Sequence, residues 1–554
     1  MPNILKSLSL AAALALSAVP VARAQGFAGA FLAAKSANIA NDYAQAAYYY
    51  TQAMISQPEN GFIMQGAMFA FVASGDVPAG TAIARKMAAA GFVDEYAHSV
   101  MIAAAIKRQD YTGALTLLAN PGFDLNPLIK QMVTGWALIG IGEPDAGIEV
   151  FTSETGNDAI TAFGLYNKAL ALAYAGDYAG AEAAFSSGNA YVNRGAILAH
   201  AQILAVLGRK EDALALMTNG PGGNFGDREA DALRQNLLAG NSVGFDRLTS
   251  PQDGVSETLL ALGDALNGDN GERLALLYAR LAEYLRPDNA EALLLIGDIL
   301  TGQDQFGLAL EAYDAVPENS PFALNAKMGS AMNMRRNGDL AGAIVSLRAV
   351  LDLEPEALSL WQSLGDVLRQ KGEPEQARAA YASAIDLLPD PDIPAAWQLY
   401  FARAIVEQRA DDWPAAEADF RQALKLNPTQ PDVLNYLGYS LVERGEKLEE
   451  ALGMIENAVA AKPDSGAIAD SLGWVYYQLG RYEEAVQAME VAVKLLPVDP
   501  ILSDHYGDVL WMVGREREAR FQWRRALSYG PEEDEAARIR DKLERGLDAV
   551  LADE

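Results

Sequence analysis

The sequence predicts an all-α protein, an array of paired helices in two arms closed by a C-terminal capping helix. Three observations predict it. At 554 residues, with 51 % hydrophobic and 21 % charged residues, the chain is several times one domain and too apolar to be disordered. In the second half the prolines at 287, 321, 355, 389, 428, 463, 497 and 531 are separated by 34, 34, 34, 39, 35, 34 and 34 residues. Between them, small residues recur in fixed columns, and self-similarity at a period near 34 marks a repeat architecture.

Residues 1–24 read as an export leader. Met1 to Lys6 is a short cationic start, Ser7 to Val19 is apolar, and Ala22-Arg23-Ala24 offers a small-residue cleavage site before Gln25. A membrane anchor is disfavoured, because spanning takes about 20 apolar residues. No later run reaches that length, and with no Cys there is no lipid-anchor site. The expectation is an exported, periplasmic protein without a transmembrane segment.

Residues 27–220 read as six degenerate repeats. Their small residue recurs as Ala46, Gly80, Ala114, Ala146, Ala181 and Ala213. Asp42-Tyr43, Asp110-Tyr111 and Asp177-Tyr178 repeat the turn into the second helix, and Tyr50 and Phe185 repeat a large partner. Residues 221–255, with Gly220 just before them, form a Gly-rich connector with one short helical pattern from Asp227 to Leu238. They are expected to be a hinge or a break. The run Gly220 to Gly226 lacks the Lys-Ser/Thr and the spacing of a phosphate loop.

Residues 256–531 read as eight clear units. Twelve residues before each closing proline stands Ala275, Ala309, Ala343, Ala377, Ala416, Ala451, Ala485 or Ala519. Earlier in each unit stands Gly263, Gly297, Ala331, Gly365, Ala404, Gly438, Gly473 or Gly507. Small residues let two helices approach, and Tyr313, Tyr381, Phe420 and Trp523 fill the facing gaps. Proline then ends the second helix. Residues 532–554 carry Ile539, Leu543, Leu547 and Leu551 at four-residue spacing, the pattern of a one-sided helix that covers the end of a stack.

Composition narrows the function. A formal net charge of -30 argues against nucleic acid. Zero Cys and three isolated His exclude thiolate chemistry and Cys-liganded metal, and leave no histidine cluster. No Ser-x-x-Lys or Gly-x-Ser-x-Gly supplies a nucleophile. The expectation is a non-enzymatic protein with no catalytic residue, no metal and no cofactor.

Trp361-Gln362-Ser363-Leu364-Gly365, Ala377, Tyr381, Ala384 and Pro389 resemble the tetratricopeptide repeat. That resemblance implies a superhelix of helix–turn–helix units whose concave face is lined by the first helix of each pair. Carried onto the last three units, the family's groove positions include Asn435, Tyr436, Tyr439, Asp470, Trp474, Tyr477, Asp504, His505 and Asp508. Aromatics with Asn and Asp suit an extended peptide, and the aspartates favour a basic or neutral one. Core packing of the same aromatics is the competing reading.

Leu434 to Leu527 resembles the C-terminal part of bacterial envelope tetratricopeptide-repeat proteins, among them a lipoprotein adaptor of a carboxyl-terminal processing protease. The resemblance implies a protein-binding adaptor that presents clients to such a protease. The alternative is an assembly scaffold for outer-membrane or polysaccharide export machinery.

Overall fold

The computed structural model describes residues 27–92, 94–120, 125–153, 156–187, 190–219, 228–268 and 271–553. The expected leader and the Gly220 to Gly226 run lie outside the described residues. Among the described residues there are 31 α-helices, one short 3-10 turn and no strand. The chain divides into two compact units, Met1–Ser346 and Leu347–Glu554. The division does not fall in the Gly-rich connector.

In the first unit, six helix hairpins run from Phe27–Ile39 with Tyr43–Ser56 to Arg194–Val206 with Lys210–Asn219. The Asp-Tyr turns work as helix N-caps. Asp42, Asp110 and Asp177 accept the backbone N–H groups of Gln45, Gly113 and Gly180 at 3.1, 2.9 and 2.9 Å, satisfying donors that a helix start leaves unpaired. The small-residue column is buried at Ala46, Gly80, Ala114, Ala181 and Ala213. In the fourth hairpin the expected Ala146 is exposed and Gly147 takes its place. The reason is steric: a Cβ on Gly147 would stand 2.5 Å from the Gly135 carbonyl oxygen.

The helices Pro251–Leu266 and Glu272–Leu285 follow, packed against the earlier hairpins rather than beyond them. The first contacts Pro127–Gly140 and Asp158–Tyr174, and the second contacts Gly61–Ala73 and Glu95–Lys107. Ten consecutive residues, Gly254 to Gly263, are buried, so the middle of this helix is packed around its circumference while its C-terminal turn reaches water at Asp264. Its polar members are satisfied by the enclosing helices. Tyr166 Oη donates to Glu257 at 2.7 Å, and Thr258 Oγ1 to Asn167 at 2.7 Å, while the Trp136 indole donates to the same Asn167 oxygen at 2.7 Å. Gly254 and Val255 thus belong to a packed helix and not to a flexible connector. A Cβ at Gly254 would lie 2.3 Å from the Trp136 ring. The inner face of the first hairpins is filled by the chain itself.

In the second unit, hairpins run from Leu358–Lys371 with Pro374–Asp386 to Pro500–Met512 with Glu516–Ser528. The 39-residue interval takes up its extra length in the Pro394–Ala396 3-10 turn, and the 35-residue interval in a turn where Lys447 adopts φ +50°. Across the eight pairs of both units, the alanines 275, 309, 343, 377, 416, 451, 485 and 519 are all 0 % exposed. The large residues face the glycines as expected: Cβ atoms at Gly297, Gly365 and Gly507 would meet Tyr313, Tyr381 and Trp523 at 2.5, 2.7 and 2.4 Å. Pro287, Pro428, Pro463 and Pro497 each stand two residues past a helix end.

The tail departs from a single helix. It forms Glu533–Arg545 and Leu547–Leu551, broken at Gly546, whose φ of +86° suits glycine. Ile539 and Leu547 are buried, whereas Leu551 is 40 % exposed.

Candidate functional site

The last three units bring the nine sequence-predicted residues onto neighbouring helices, and most of them are already engaged. Trp474 is 8 % exposed, on the side of the core-packing reading. Its ring stacks on Tyr477 at 4.7 Å and on His505 at 4.1 Å, and its indole N–H donates to Glu443 at 2.8 Å. His505 Nδ1 lies 3.2 Å from both oxygens of Asp470. Burial opposes the imidazolium, but Asp470, Asp504 and Asp508 outweigh it and raise the pKa of His505. Tyr439 is half-buried, its hydroxyl pKa pushed up by burial and by Glu443 and Asp470. Tyr436 is 41 % exposed, edge-on to Phe401 at 5.3 Å. Asn435 keeps a buried Oδ1 with no partner among the described residues.

Asp504 and Asp508 are covered from within the chain. The Glu533–Arg545 helix inserts Lys542, 0 % exposed, with its ammonium 2.7 Å from Asp504 and 2.7–2.8 Å from both oxygens of Asp508. The Trp523 indole donates to Asp508 at 2.9 Å. Burial, then Asp504, holds the Asp508 carboxyl up at about 6. The basic group expected from a partner is thus supplied by the chain at these two positions. A signal for it was present: Lys542 sits between Ile539 and Leu543, on the apolar side of a helix that otherwise carries its charges outward.

A second place follows the same register and was not singled out from sequence. Applied to the units closing at Pro287 and Pro321, the five groove positions give Glu257, Leu260, Ala261, Asp264 and Asn267, then Glu291, Leu294, Leu295, Asp298 and Thr301. Nine of these, all but Thr301, line a cavity of about 270 Å³ in the first unit, completed by Asn193, Arg194, Gly195, Arg247 and Phe322. Its floor is a charge network. Arg247 reaches Glu291 at 3.0 Å and Glu257 and Glu229 at 3.6 Å. Arg194 pairs with Glu229 at 2.8 Å and with Glu291, and its guanidinium lies 4.6 Å over the Phe322 ring. Burial works against the Arg247 charge, but these carboxylates dominate and hold its pKa above the ordinary value.

Asp264 and Asp298 stand at the rim. Both are open to water yet set in a concavity, and burial pushes both carboxyl pKa values up, with Glu291 adding to the effect at Asp264. Asp298 accepts the Tyr313 hydroxyl at 2.6 Å. Among the described residues Asp264 forms no ion pair, no group of three or more His, Asp or Glu is placed to hold a metal, and no helix is long and apolar enough to cross a membrane.

Comparison with known proteins finds similarity over part of the chain. Family models described as tetratricopeptide repeat match residues 334–400, 401–452 and 442–500. The TPR repeat-containing protein PA4667 of Pseudomonas aeruginosa is 26 % identical over 34 % of this chain and 31 % of its own length. Tetratricopeptide repeat protein 13 of Homo sapiens is 26 % identical over 38 % of this chain and 25 % of its own. The match thus spans about a third or less of these curated relatives. Among solved structures, a tetratricopeptide repeat protein from Parabacteroides merdae aligns with TM-score 0.38 and 16 % identity over 46 % of this chain and 97 % of its own. The APC/C hetero-tetramer Cut9-Hcn1 aligns with TM-score 0.39 and 15 % identity over 95 % and 97 %. Residues 334–500, inside the array of helix hairpins, are thus the part of the chain that is similar to tetratricopeptide repeats.

Proposed function

We propose that this protein is an exported, non-enzymatic adaptor whose hairpin array binds partner polypeptides in the cell envelope. The observation that carries the reading is the tandem repeat itself. Residues 334–500 match tetratricopeptide repeats, which imply protein partners, and the buried alanine column runs through all eight pairs of the second half. Export to the periplasm rests on the leader pattern of residues 1–24. The partner class we favour is a carboxyl-terminal processing protease with its clients, on the resemblance of Leu434 to Leu527 to envelope adaptors.

The experiment is affinity capture from cross-linked envelope extract with the full chain as bait, read by mass spectrometry. Recovery of a processing protease and its substrates is the expected result. Recovery of secretion or polysaccharide-synthase components instead would replace the adaptor reading with an export-assembly scaffold. Accumulation of the chain in the cytosol with its first 24 residues intact would remove the export reading.

A further inference from the structure

The cavity on the first unit differs from the end of the second in one respect: among the described residues, its rim acids Asp264 and Asp298 form no ion pair, whereas Asp504 and Asp508 hold Lys542. Its lining carries Glu257, Asp264, Glu291 and Asp298 against Arg194 and Arg247, and both arginines are engaged with Glu229, Glu257 and Glu291. That leaves the opening net negative. Leu260, Leu294 and Leu295 stand in the same lining, so charge and apolar surface are presented side by side.

An independent feature points to a guest. The Arg247 side chain is 8 % exposed, lines this cavity and a second of about 250 Å³, and has an Nε–H with no hydrogen-bond partner among the described residues. A buried donor left without an acceptor is unfavourable, so the floor beneath the rim acids is incompletely satisfied by the chain's own groups. The cavity's size is also selective. At about 270 Å³ it falls just below the roughly 300–1,000 Å³ of drug-sized ligand sites, so it suits one side chain with adjoining backbone rather than a cofactor.

We propose that this cavity is a docking site for an extended polypeptide segment, which places a lysine or arginine at Asp264 and Asp298 with its carbon stem on Leu260, Leu294 and Leu295. The inference rests on the protein-binding function proposed above and adds the place and the chemistry of the partner. The site is composite: Arg194 comes from the sixth hairpin, Arg247 from the segment between the halves, and the rim from the helices Pro251–Leu266 and Ala290–Gly302. Raised carboxyl pKa values at Asp264 and Asp298 accord with anions waiting for a counter-charge, which a bound cation would draw down again. Long aliphatic stems on Lys and Arg match the leucine wall, since such side chains bury their carbon chains while the charge stays at the rim.

The test is selection of a phage-displayed random nonapeptide library on the full-length protein, repeated with Asp264→Asn plus Asp298→Asn. Asparagine keeps an acceptor for the Tyr313 hydroxyl, and circular dichroism with thermal melting checks the fold. The expected result is enrichment of peptides with Lys or Arg beside apolar residues. Their affinity should fall about tenfold in the double variant and weaken with salt. Should the double variant fail to fold, Asp264→Asn alone, at a rim position open to water, decides. Selected peptides that bind the variant equally well, or that are acidic, overturn this site and leave the protein-binding function standing. Selection of no peptide at all overturns both.

Discussion

Lys542→Met removes one charge from the C-terminal end while keeping an unbranched side chain of similar length. The ammonium is wholly buried among three carboxylate oxygens at 2.7–2.8 Å, and Asp508 is itself only 1 % exposed. Its loss leaves Asp508 beside Asp504, with Arg538 no nearer than 3.8 Å. Taking one partner from a buried pair typically costs about 3–5 kcal/mol. Even with Lys542 in place, burial and the Asp504 charge hold the Asp508 carboxyl above its ordinary value.

The sign of the pH dependence follows. Asp508 binds its proton more tightly folded than unfolded, so its contribution is greatest in acid and is lost as pH rises from 3.8 through about 6. His505, with its raised pKa, contributes stability that is full below 6.5 and is lost as pH rises through the folded value. Both therefore predict a C-terminal end more stable at pH 5 than at pH 8. The assay is hydrogen exchange of the full chain by mass spectrometry, corrected for intrinsic rates and followed in peptides from 500–545. A local readout is required because two compact units make a single unfolding free energy ill-defined. In Lys542→Met, protection there should fall by about 3 kcal/mol at pH 8 and by less at pH 5, where Asp508 takes up a proton. Adding Asp508→Asn should restore part of it. Equal protection of mutant and parent at pH 8, or a larger loss at pH 5, would refute the reasoning.

Ala377→Leu adds three carbons at a position that is 0 % exposed and should cost about 1–3 kcal/mol; an unchanged thermal midpoint would count against the repeat register. Gly507→Ala places a Cβ 2.4 Å from the Trp523 ring and should destabilise the last hairpin by a similar amount, about 1–3 kcal/mol, read as red-shifted tryptophan emission at lower urea. Glu407 is 5 % exposed and held at about 7, by burial first and then by the Asp419 charge, so its stability contribution is lost as pH rises from 4.5 to about 7. Glu407→Gln should therefore raise stability by about 1–3 kcal/mol at pH 8 and little at pH 5, and an equal gain at both would be the wrong outcome. Arg247→Met strands Glu257, whose side chain is 4 % exposed, and should cost about 3–5 kcal/mol in the first unit, measured by exchange in peptides from 251–266.

The repeat was legible because its constraint is local and steric. A helix hairpin needs a small residue where its helices cross, so the alanines 275 to 519 and the facing Tyr313, Tyr381 and Trp523 could be paired from spacing alone. Ala146 failed by one place, because a one-residue shift between adjacent small residues leaves the composition of the column unchanged. Only contact with Gly135 distinguishes Gly147 from its neighbour. At the candidate site, the same groove positions named both the residues of the last three units and the lining of the 270 Å³ cavity. What spacing could not say was which stretch of that face the chain covers itself.

By itself, then, the sequence determined the all-helical class, the hairpin period and all but one of the crossing residues, since these follow from contacts within one unit or between neighbours. Tertiary structure alone decided that helices Pro251–Leu266 and Glu272–Leu285 fill the inner face of the first hairpins, that Lys542 pairs with Asp504 and Asp508, and that Asp264 is left without a cation among the described residues. The physical reason is that these pairings either reach far beyond one period, as Arg280 does to the Ala73 carbonyl 207 positions away, or come from a tail outside the repeat, as Lys542 does. No local period encodes such contacts; they depend on how successive hairpins accumulate their rotation until distant helices meet.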